Sequence, residues 1–148
     1  MPEPYGESEG KMESRYLFRA KRIDNGEWVE GFYFCMAHPD GRHTHHFIIP
    51  LGTDLSRGTP IEKIQVEIDP STICQCTGMP DKNKKLVFEN DIVWDFDERK
   101  FFTIIWNQED MCWNVEDADG YKYTFEECYG ESIEVEGNAF DNPKVLEV

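Results

Sequence analysis

Apolar and polar residues alternate along most of the chain from Tyr16 onward, and a period of two is typical of half-buried β-strands. Phe18 and Ala20 alternate with charged residues, and a second such run covers residues 28–35. Asn25-Gly26 lies between the two runs and predicts a hairpin with a type I′ turn, in which both central residues have positive φ. A second turn is predicted at residues 39–41 and a short strand at residues 61–68.

The carboxy-terminal half is predicted to form a meander of five short strands, with turns at residues 97–100, 107–110 and 119–120. Alternation assigns an inner face to Trp94, Phe102, Trp106, Trp113 and Tyr123. No long amphipathic helix is indicated anywhere. The fold class expected is therefore all-β, with hairpins, a small curled sheet or barrel in the carboxy-terminal half, and little helix.

Length and composition favour one globular domain over residues 14–148, preceded by a mobile acidic tail at residues 1–13. No run approaches the roughly 20 apolar residues of a membrane-spanning helix. The amino-terminal residues lack the basic and apolar regions of a secretory signal, and the five cysteines show no disulfide framework. We therefore expect reduced thiols and a cytoplasmic location.

Charge is divided unevenly within a net charge of −15. Residues 1–85 hold 13 acidic and 11 basic residues, and residues 86–148 hold 17 acidic and 4 basic residues. Period-two alternation predicts that the acidic residues beside the inner face point outward. The candidate interaction surface is Asp95, Asp97, Glu134 and Glu136. It is either a solvated surface or an electronegative face that meets a basic partner.

The most specific stretch is residues 75–93, which read Gln-Cys-Thr-Gly-Met-Pro-Asp-Lys-Asn-Lys-Lys-Leu-Val-Phe-Glu-Asn-Asp-Ile-Val. It resembles the hallmark of the YopX family of phage and prophage proteins, Gln–aromatic–Thr–Gly–Leu–x–Asp–Lys–Asn–Gly–Lys followed by Glu–Gly–Asp–Ile–Val. Residues 18–31 resemble the family's opening hairpin, and residues 137–143 resemble its closing Gly-Asn–x–aromatic–x–Asn-Pro signature. The resemblance covers residues 15–146 in the right order.

This resemblance implies a mainly β fold from a mobile genetic element, and it implies no established activity and no catalytic residues. Three positions depart from the pattern, because Lys84 and Asn90 stand where the family has Gly and Cys76 stands where it has an aromatic residue. Asn90 is compatible with a left-handed backbone. The motif's turn residues, which serve either folding or binding, are Thr77, Gly78, Asp81, Lys82, Asn83, Glu89, Asn90 and Asp91.

Two groups of residues have metal-ligating side chains. One surrounds the turn at residues 39–41 and contains Cys35, His38, His43, His45 and His46. The other combines Cys74 and Cys76 with the later Cys112 and Cys128. Neither group has the spacing of a known zinc site, so we predict no metal and no other cofactor. Nucleotide-binding and hydrolase motifs are also missing, which argues against an enzyme.

These observations favour a non-enzymatic binding or assembly module that acts through contacts with an unidentified protein partner, and they leave self-association open. One alternative is an acidic DNA mimic that occupies the DNA site of a host protein. A second alternative is a small barrel that binds nucleic acid directly, although the net charge makes this unfavourable. The basic residues for that role would be Arg19, Lys21, Arg22, Lys82, Lys84 and Lys85.

Overall fold

The computed structural model describes residues 13–54, 56 and 58–147. The tail predicted at residues 1–13 lies outside this range except for Glu13. The described chain forms two antiparallel sheets, which confirms the all-β class. The strands are β1 Phe18–Lys21, β2 Trp28–Ala37, β3 Thr44–Pro50, β4 Val66–Glu67, β5 Cys74–Pro80, β6 Leu86–Phe88, β7 Asp91–Asp95, β8 Lys100–Asn107, β9 Cys112–Glu116, β10 Lys122–Thr124 and β11 Ile133–Asn138.

The first sheet has six strands in the order β4-β3-β2-β1-β5-β6. The hairpin predicted between residues 18 and 35 is confirmed, with Phe18 opposite Gly31 in β1 and β2. Its turn differs from the prediction, because Gly26 has a φ of +73° while Asn25 has an ordinary φ. The backbone of Arg22 donates to the carbonyl of Glu27 at 2.9 Å, so the turn is wider than a two-residue type I′ turn.

The strand predicted at residues 61–68 is only partly present. Residues Ile61–Ile64 form one helical turn, α1, and only Val66–Glu67 pair as a strand with β3. Pro60 precedes the helix, where its fixed φ of −59° suits a helix start. The spacing of Ile61 and Ile64 also fits one face of a helix, so a short apolar pattern does not discriminate between the two structures.

The second sheet has five strands in the order β10-β9-β8-β7-β11. Its edges, β10 and β11, do not pair with each other within the described residues, so it is an open sheet and not a closed barrel. The inner face contains Val93, Phe102, Ile104, Val115 and Ile133, all buried. The connected register places Trp106, Trp113 and Tyr123 on the same face as predicted.

Trp94 is on the opposite face, so its predicted inward position is wrong. In the register of β7 and β8, Val93 lies opposite Phe102 and Trp94 lies opposite Phe101. Ile92 and Val93 are both fully buried, which means that both faces of β7 are covered. A strand buried on both faces has no clear apolar alternation, and the parity of its residues therefore cannot be read from hydrophobicity.

The buried cluster of the second sheet extends to two strands of the first sheet. Val87 of β6 belongs to the buried cluster of the second sheet, and Met79 of β5 packs against that cluster. Only Glu89 and Asn90 separate β6 from β7, so residues 75–93 pass directly from one sheet to the other. Within the described chain, no helix is both long and apolar enough to cross a membrane.

Candidate functional site

Asp81 joins the turn between β5 and β6 to strand β11. Its side chain is nearly buried, with 5% of the residue exposed. One carboxylate oxygen accepts hydrogen bonds from the backbone N–H groups of Asn83 at 2.8 Å and Lys85 at 2.9 Å. The other accepts from the N–H of Val135 at 3.0 Å. The motif's first acidic residue therefore holds three backbone donors in place.

The neighbouring motif residues also make contacts within the fold. The backbone N–H of Lys82 donates to Ile133 at 3.0 Å, and its ammonium lies 3.9 Å from the centre of the Phe96 ring. The Asn83 amide donates to the Glu134 carboxylate at 2.9 Å. In β5, the Thr77 hydroxyl donates to the Val87 carbonyl, and Gly78, with a φ of +82°, packs against Arg15.

Asp91 and Arg19 form a buried ion pair between the sheets. Asp91 is 1% exposed, and its two oxygens accept from the Arg19 guanidinium at 2.5 Å and from the N–H of Phe88 at 2.8 Å. The guanidinium lies over the rings of Trp28 and Phe88, at 4.9 and 4.8 Å from their centres. Burial raises the pKa of Asp91, and the positive charge of Arg19 opposes that shift.

Glu89 and Asn90 form the connection between the sheets, and both make hydrogen bonds there. The Glu89 carboxylate accepts from the N–H of Gln75 at 3.3 Å, and burial raises its pKa. Asn90 has a φ of +68°, and its N–H donates to Ile104 while its carbonyl accepts from Ala139. The left-handed conformation predicted as tolerable at Asn90 is therefore the one it adopts.

The closing signature meets the opening hairpin at Asp141. Its carboxylate accepts from the Lys21 ammonium at 2.5 Å and from the Trp28 indole N–H at 2.7 Å. These contacts, first the bond to Lys21 and then that to Trp28, lower the pKa of Asp141 to about 2. The Trp28 ring also packs edge-on against Phe140 at 5.7 Å. The three segments that resemble the family pattern thus converge on one junction and stabilise it.

Asp95, which the sequence places on the exposed interaction surface, is buried in the structure. Only 1% of the residue is exposed, because it lies on the inner face of β7. One oxygen accepts from the N–H groups of Asp97 at 2.8 Å and Glu98 at 3.0 Å, which closes the turn between β7 and β8. The other accepts from the Tyr129 hydroxyl at 2.5 Å. The prediction that Asp95 points outward is wrong because these three donors hold it inside.

The other three acidic candidates lie in different surroundings. Asp97 is exposed in the turn between β7 and β8. Glu134 is half-buried and bonded to Asn83. Glu136 is exposed where β11 shifts register against β7, and a charge on a bulged edge strand also discourages pairing with another strand. The four predicted residues therefore do not form one continuous surface.

The two groups of metal-ligating residues are arranged differently. Cys74 and Cys76 are fully buried beside Leu17 and Phe88, and burial raises the pKa of both thiols, which opposes the thiolate form that binds metals. The Cys128 side chain lies outside the described residues. Among those described, no three or more His, Cys, Asp or Glu residues are placed to hold a metal ion. The expectation of a metal-free protein stays a prediction.

The histidines lie along the β2–β3 hairpin and engage nearby acceptors. His43 contacts the Asp40 carboxylate at 2.7 Å and His45 contacts Glu67 at 3.0 Å. The His38 ring lies between them, 5.4 Å from that of His45 and 6.2 Å from that of His43. His46 bonds instead to the Tyr33 hydroxyl at 2.6 Å.

A cleft of about 500 Å³ opens beside the buried Asp95 and is the candidate functional site. This volume is within the range of about 300–1,000 Å³ typical of ligand-binding pockets. We call it the acidic cleft. It is bounded by the β7–β8 turn, by β10 and by the 3₁₀ segment Glu127–Ser132. Its lining residues are Asp95, Glu98, Lys100, Phe102, Val115, Tyr123, Thr124, Glu126 and Tyr129.

Aromatic rings and carboxylates share the wall of the acidic cleft. Phe102 and Tyr123 meet edge to face at 6.0 Å. Burial raises the pKa of Tyr129, and the hydrogen bond to Asp95 and the negative charges of Glu98 and Asp97 raise it further. The phenol therefore stays protonated and donates to Asp95. The carboxylates of the cleft outnumber its one lysine.

Lys100 supplies that single positive charge. Its ammonium donates to the Asp117 carboxylate at 3.1 Å, and this bond, followed by the charge of Asp117, raises the pKa of Lys100. The same ammonium lies 5.0 Å from the centre of the Phe102 ring and 5.8 Å from that of Tyr123. A cation thus already contacts the aromatic wall.

Sequence patterns do not single out Glu98, Lys100, Glu126 or Tyr129. These residues come from two short stretches, residues 98–100 and 126–129, and no spacing pattern links the two stretches. The available signals are the inward Phe102 and Tyr123 and the acidic turn at residues 97–98, but none of them predicts a cleft.

Comparisons with known proteins give a family and a fold. The chain matches the family described as YopX protein over residues 17–147. None of the curated proteins compared with the chain matches it. Among solved structures it is similar to protein EF1440 from Enterococcus faecalis, with 24% identity, a TM-score of 0.52, and coverage of 87% of this chain and 96% of that one. At this identity the similarity supports the fold alone.

Proposed function

This chain belongs to the YopX protein family, and we propose that it is a non-enzymatic binding module, encoded by a phage or prophage and acting in the bacterial cytoplasm, that contacts a basic protein partner through its carboxy-terminal sheet. The observation that carries the proposal is the acidic cleft, where an aromatic-walled opening has Glu98 and Glu126 at its rim. Such a combination suits recognition of positively charged groups.

The contacts of the family motif support this proposal, because they engage its most buried polar residues within the fold. Asp81 and Asp91, its most buried polar residues, are engaged with backbone N–H groups and with Arg19. A residue with this many contacts inside the fold has little capacity left for a ligand. These contacts support a structural role for the motif at the junction of the sheets and favour a binding surface elsewhere.

Three of the six basic residues offered for direct nucleic-acid binding form ion pairs within the chain. Arg19 pairs with Asp91, Lys21 with Asp141, and Arg22 with Asp24. Phosphate binding needs cations that release counterions on contact, and paired cations contribute less. These ion pairs argue against DNA as the ligand and therefore favour a protein partner.

Charge reversal tests the proposal. The variant Glu98→Lys/Glu126→Lys changes two exposed residues at the rim and should reduce capture of the wild-type partner from bacterial lysate at least ten-fold, as read by quantitative mass spectrometry. The control Glu27→Lys/Glu62→Lys makes the same change in charge at two exposed positions that do not line the cleft, one in the turn between β1 and β2 and one in α1. It should retain the partner, because exposed substitutions usually change stability by less than about 0.5 kcal/mol.

Two further measurements decide between related functions. Capture that weakens steeply between about 50 and 300 mM salt supports an electrostatic contact, because surface charges are screened over about 8 Å at physiological salt. Displacement of the partner by duplex DNA would identify the protein as a DNA mimic instead. Equal capture by both double variants would refute a role for the acidic cleft.

A further inference from the structure

We propose that the acidic cleft binds the ammonium group of a lysine side chain that the protein partner presents. This inference rests on the binding function proposed above and specifies what the cleft recognises. A lysine side chain combines an apolar stem with a compact charged end, so it needs an apolar wall beside negative charge. The acidic cleft offers both in one opening of about 500 Å³.

The aromatic wall is suited to a cation. Phe102 and Tyr123 stand nearly perpendicular, with an interplanar angle of 90°, and together with Tyr129 they line the cleft. The faces of such rings carry partial negative charge and attract an ammonium within about 6 Å of the ring centre. Tyr123 is 50% exposed, so a group arriving from solvent can reach it.

Negative charge surrounds the same space. Asp95 is 1% exposed and lines the cleft, and Glu98 and Glu126 lie at its exposed margin. Against these three carboxylates the lining has one positive charge, that of Lys100. An anion would therefore be repelled, whereas an ammonium group would be attracted by the excess of negative charge.

The ammonium of Lys100 already lies beside the two rings at which we place the partner's lysine. Its ammonium is 5.0 Å from the Phe102 ring centre and 5.8 Å from that of Tyr123, and 41% of its side chain is exposed. Asp117, which holds this ammonium at 3.1 Å, is not part of the cleft lining. Lys100 can therefore remain bound to Asp117 while a partner's lysine takes the face of Tyr123. The arrangement of Lys100 shows that these rings accept an alkylammonium, which is why we name lysine and not arginine.

Butylammonium is a probe that reproduces the end of a lysine side chain. The isotope-labelled full-length chain is titrated with butylammonium chloride at constant ionic strength, and chemical shifts are followed by NMR. We expect saturable shifts at Val115, Tyr123 and Thr124 with a midpoint of roughly 1–10 mM, as the small number of atoms in the probe allows. Neutral 1-butanol and anionic butyrate should leave these signals unchanged.

Single substitutions test whether butylammonium binds in the acidic cleft. Lys100→Met removes the competing charge and should tighten binding roughly three-fold, as expected for one unit charge a few ångströms away in water. Tyr123→Leu removes one ring and should weaken binding by about two- to five-fold. The matched control Lys122→Met removes a lysine adjacent to Tyr123 that is exposed and does not line the cleft, and it should leave the midpoint unchanged.

The outcomes separate this inference from the proposed function. Equal shifts with 1-butanol, or unchanged midpoints in both Lys100→Met and Tyr123→Leu, would overturn lysine recognition. Should Lys100→Met fail to fold, the midpoint of Tyr123→Leu decides alone. Partner capture that depends on Glu98 and Glu126 without any binding of butylammonium would refute this inference and leave the proposed function standing. Binding of butylammonium without such a partner would refute the proposed function only.

Discussion

At the scale of single residues, two departures from the family pattern fall at left-handed backbone positions. Lys84 has a φ of +65° and Asn90 a φ of +68°. In this region the Cβ atom of an L-residue crowds the following carbonyl, at a cost of roughly 1–2 kcal/mol for ordinary residues. The family pattern has Gly at both positions, so its glycines are explained by backbone conformation.

Lys84→Gly should therefore raise the free energy of unfolding by about 0.5–1 kcal/mol, the relief of strain less the extra entropy of an unfolded glycine. Asn90→Gly should give a smaller gain, because Asn tolerates this conformation and its amide lies 3.6 Å from the Cys74 sulfur. Urea denaturation with fluorescence detection measures both.

Lys85→Gly is the matched control for Lys84→Gly. It removes the same charge from the next residue, where φ is not positive. We expect it to lower the free energy of unfolding by about 0.5–1 kcal/mol, since glycine only adds entropy to the unfolded chain there. Changes of the same sign at both positions would contradict the explanation.

Residue types predict backbone conformation better than they predict side-chain direction. The turn compositions locate Gly26, Asn90 and the other left-handed positions near their observed places. The prediction for Asp95 is wrong because it follows from placing the neighbouring Trp94 inward, whereas Asp95 is the inward residue and three donors offset the cost of its burial. Those donors belong to a turn and to Tyr129, which is distant in sequence, so no local pattern indicates them.

At the scale of elements, most strands and hairpins are predictable and their faces only partly so. The alternation of Phe102 and Ile104 on a strand that is buried on one side gives the correct face. It fails for Trp94, since β7 is central and covered on both sides. It also misassigns residues 61–64, where one helical turn and a short strand share the same apolar spacing.

The contact between the closing signature and the opening hairpin gives a prediction on pH. Asp141, whose pKa is lowered to about 2 by Lys21 and Trp28, binds fewer protons folded than unfolded near pH 3. Its contribution to stability is therefore complete above the ordinary Asp pKa of about 4 and is lost as pH falls toward 2. In thermal and urea unfolding, wild type should exceed Asp141→Asn in stability at pH 6, and this difference should shrink between about pH 4 and pH 2.

Asp119→Asn is the control for that measurement, because it removes one carboxylate from an exposed turn of the same half. Subtracting the change in stability caused by Asp119→Asn from that caused by Asp141→Asn leaves the change that is due to the contacts of Asp141 with Lys21 and Trp28. A difference between wild type and Asp141→Asn that stays constant from pH 6 to pH 2 would show that the ion pair does not stabilise the junction.

At the scale of the whole molecule, the division of charge follows the division into sheets. The junction residues Asp91 and Asp141 are used internally, against Arg19 and Lys21. Residues 86–148, which contain the second sheet, hold 17 acidic residues and only 4 basic ones, and exposed carboxylates such as Asp97 and Glu126 belong to this excess. The negative field is thus concentrated on the sheet that contains the acidic cleft.

This distribution predicts that the protein does not bind duplex DNA tightly. A net charge of −15 repels phosphate, and Arg19, Lys21 and Arg22 are already paired within the chain. Lys82, Lys84 and Lys85 are exposed, but three cations neutralise few phosphates. A gel-shift titration at about 150 mM salt, where the Debye length is about 8 Å, should show no complex below roughly 10 μM protein.

The variant Lys84→Gly tests whether this turn contacts DNA, because it removes one of those exposed cations. If weak binding occurs through this turn at low salt, the variant should reduce the slope of log affinity against log salt by about one unit. A midpoint below roughly 10 μM at about 150 mM salt would contradict the prediction. It would mean that DNA displaces the internal partners of Arg19, Lys21 or Arg22, and the junction of the two sheets would then be a binding surface as well as a structural one.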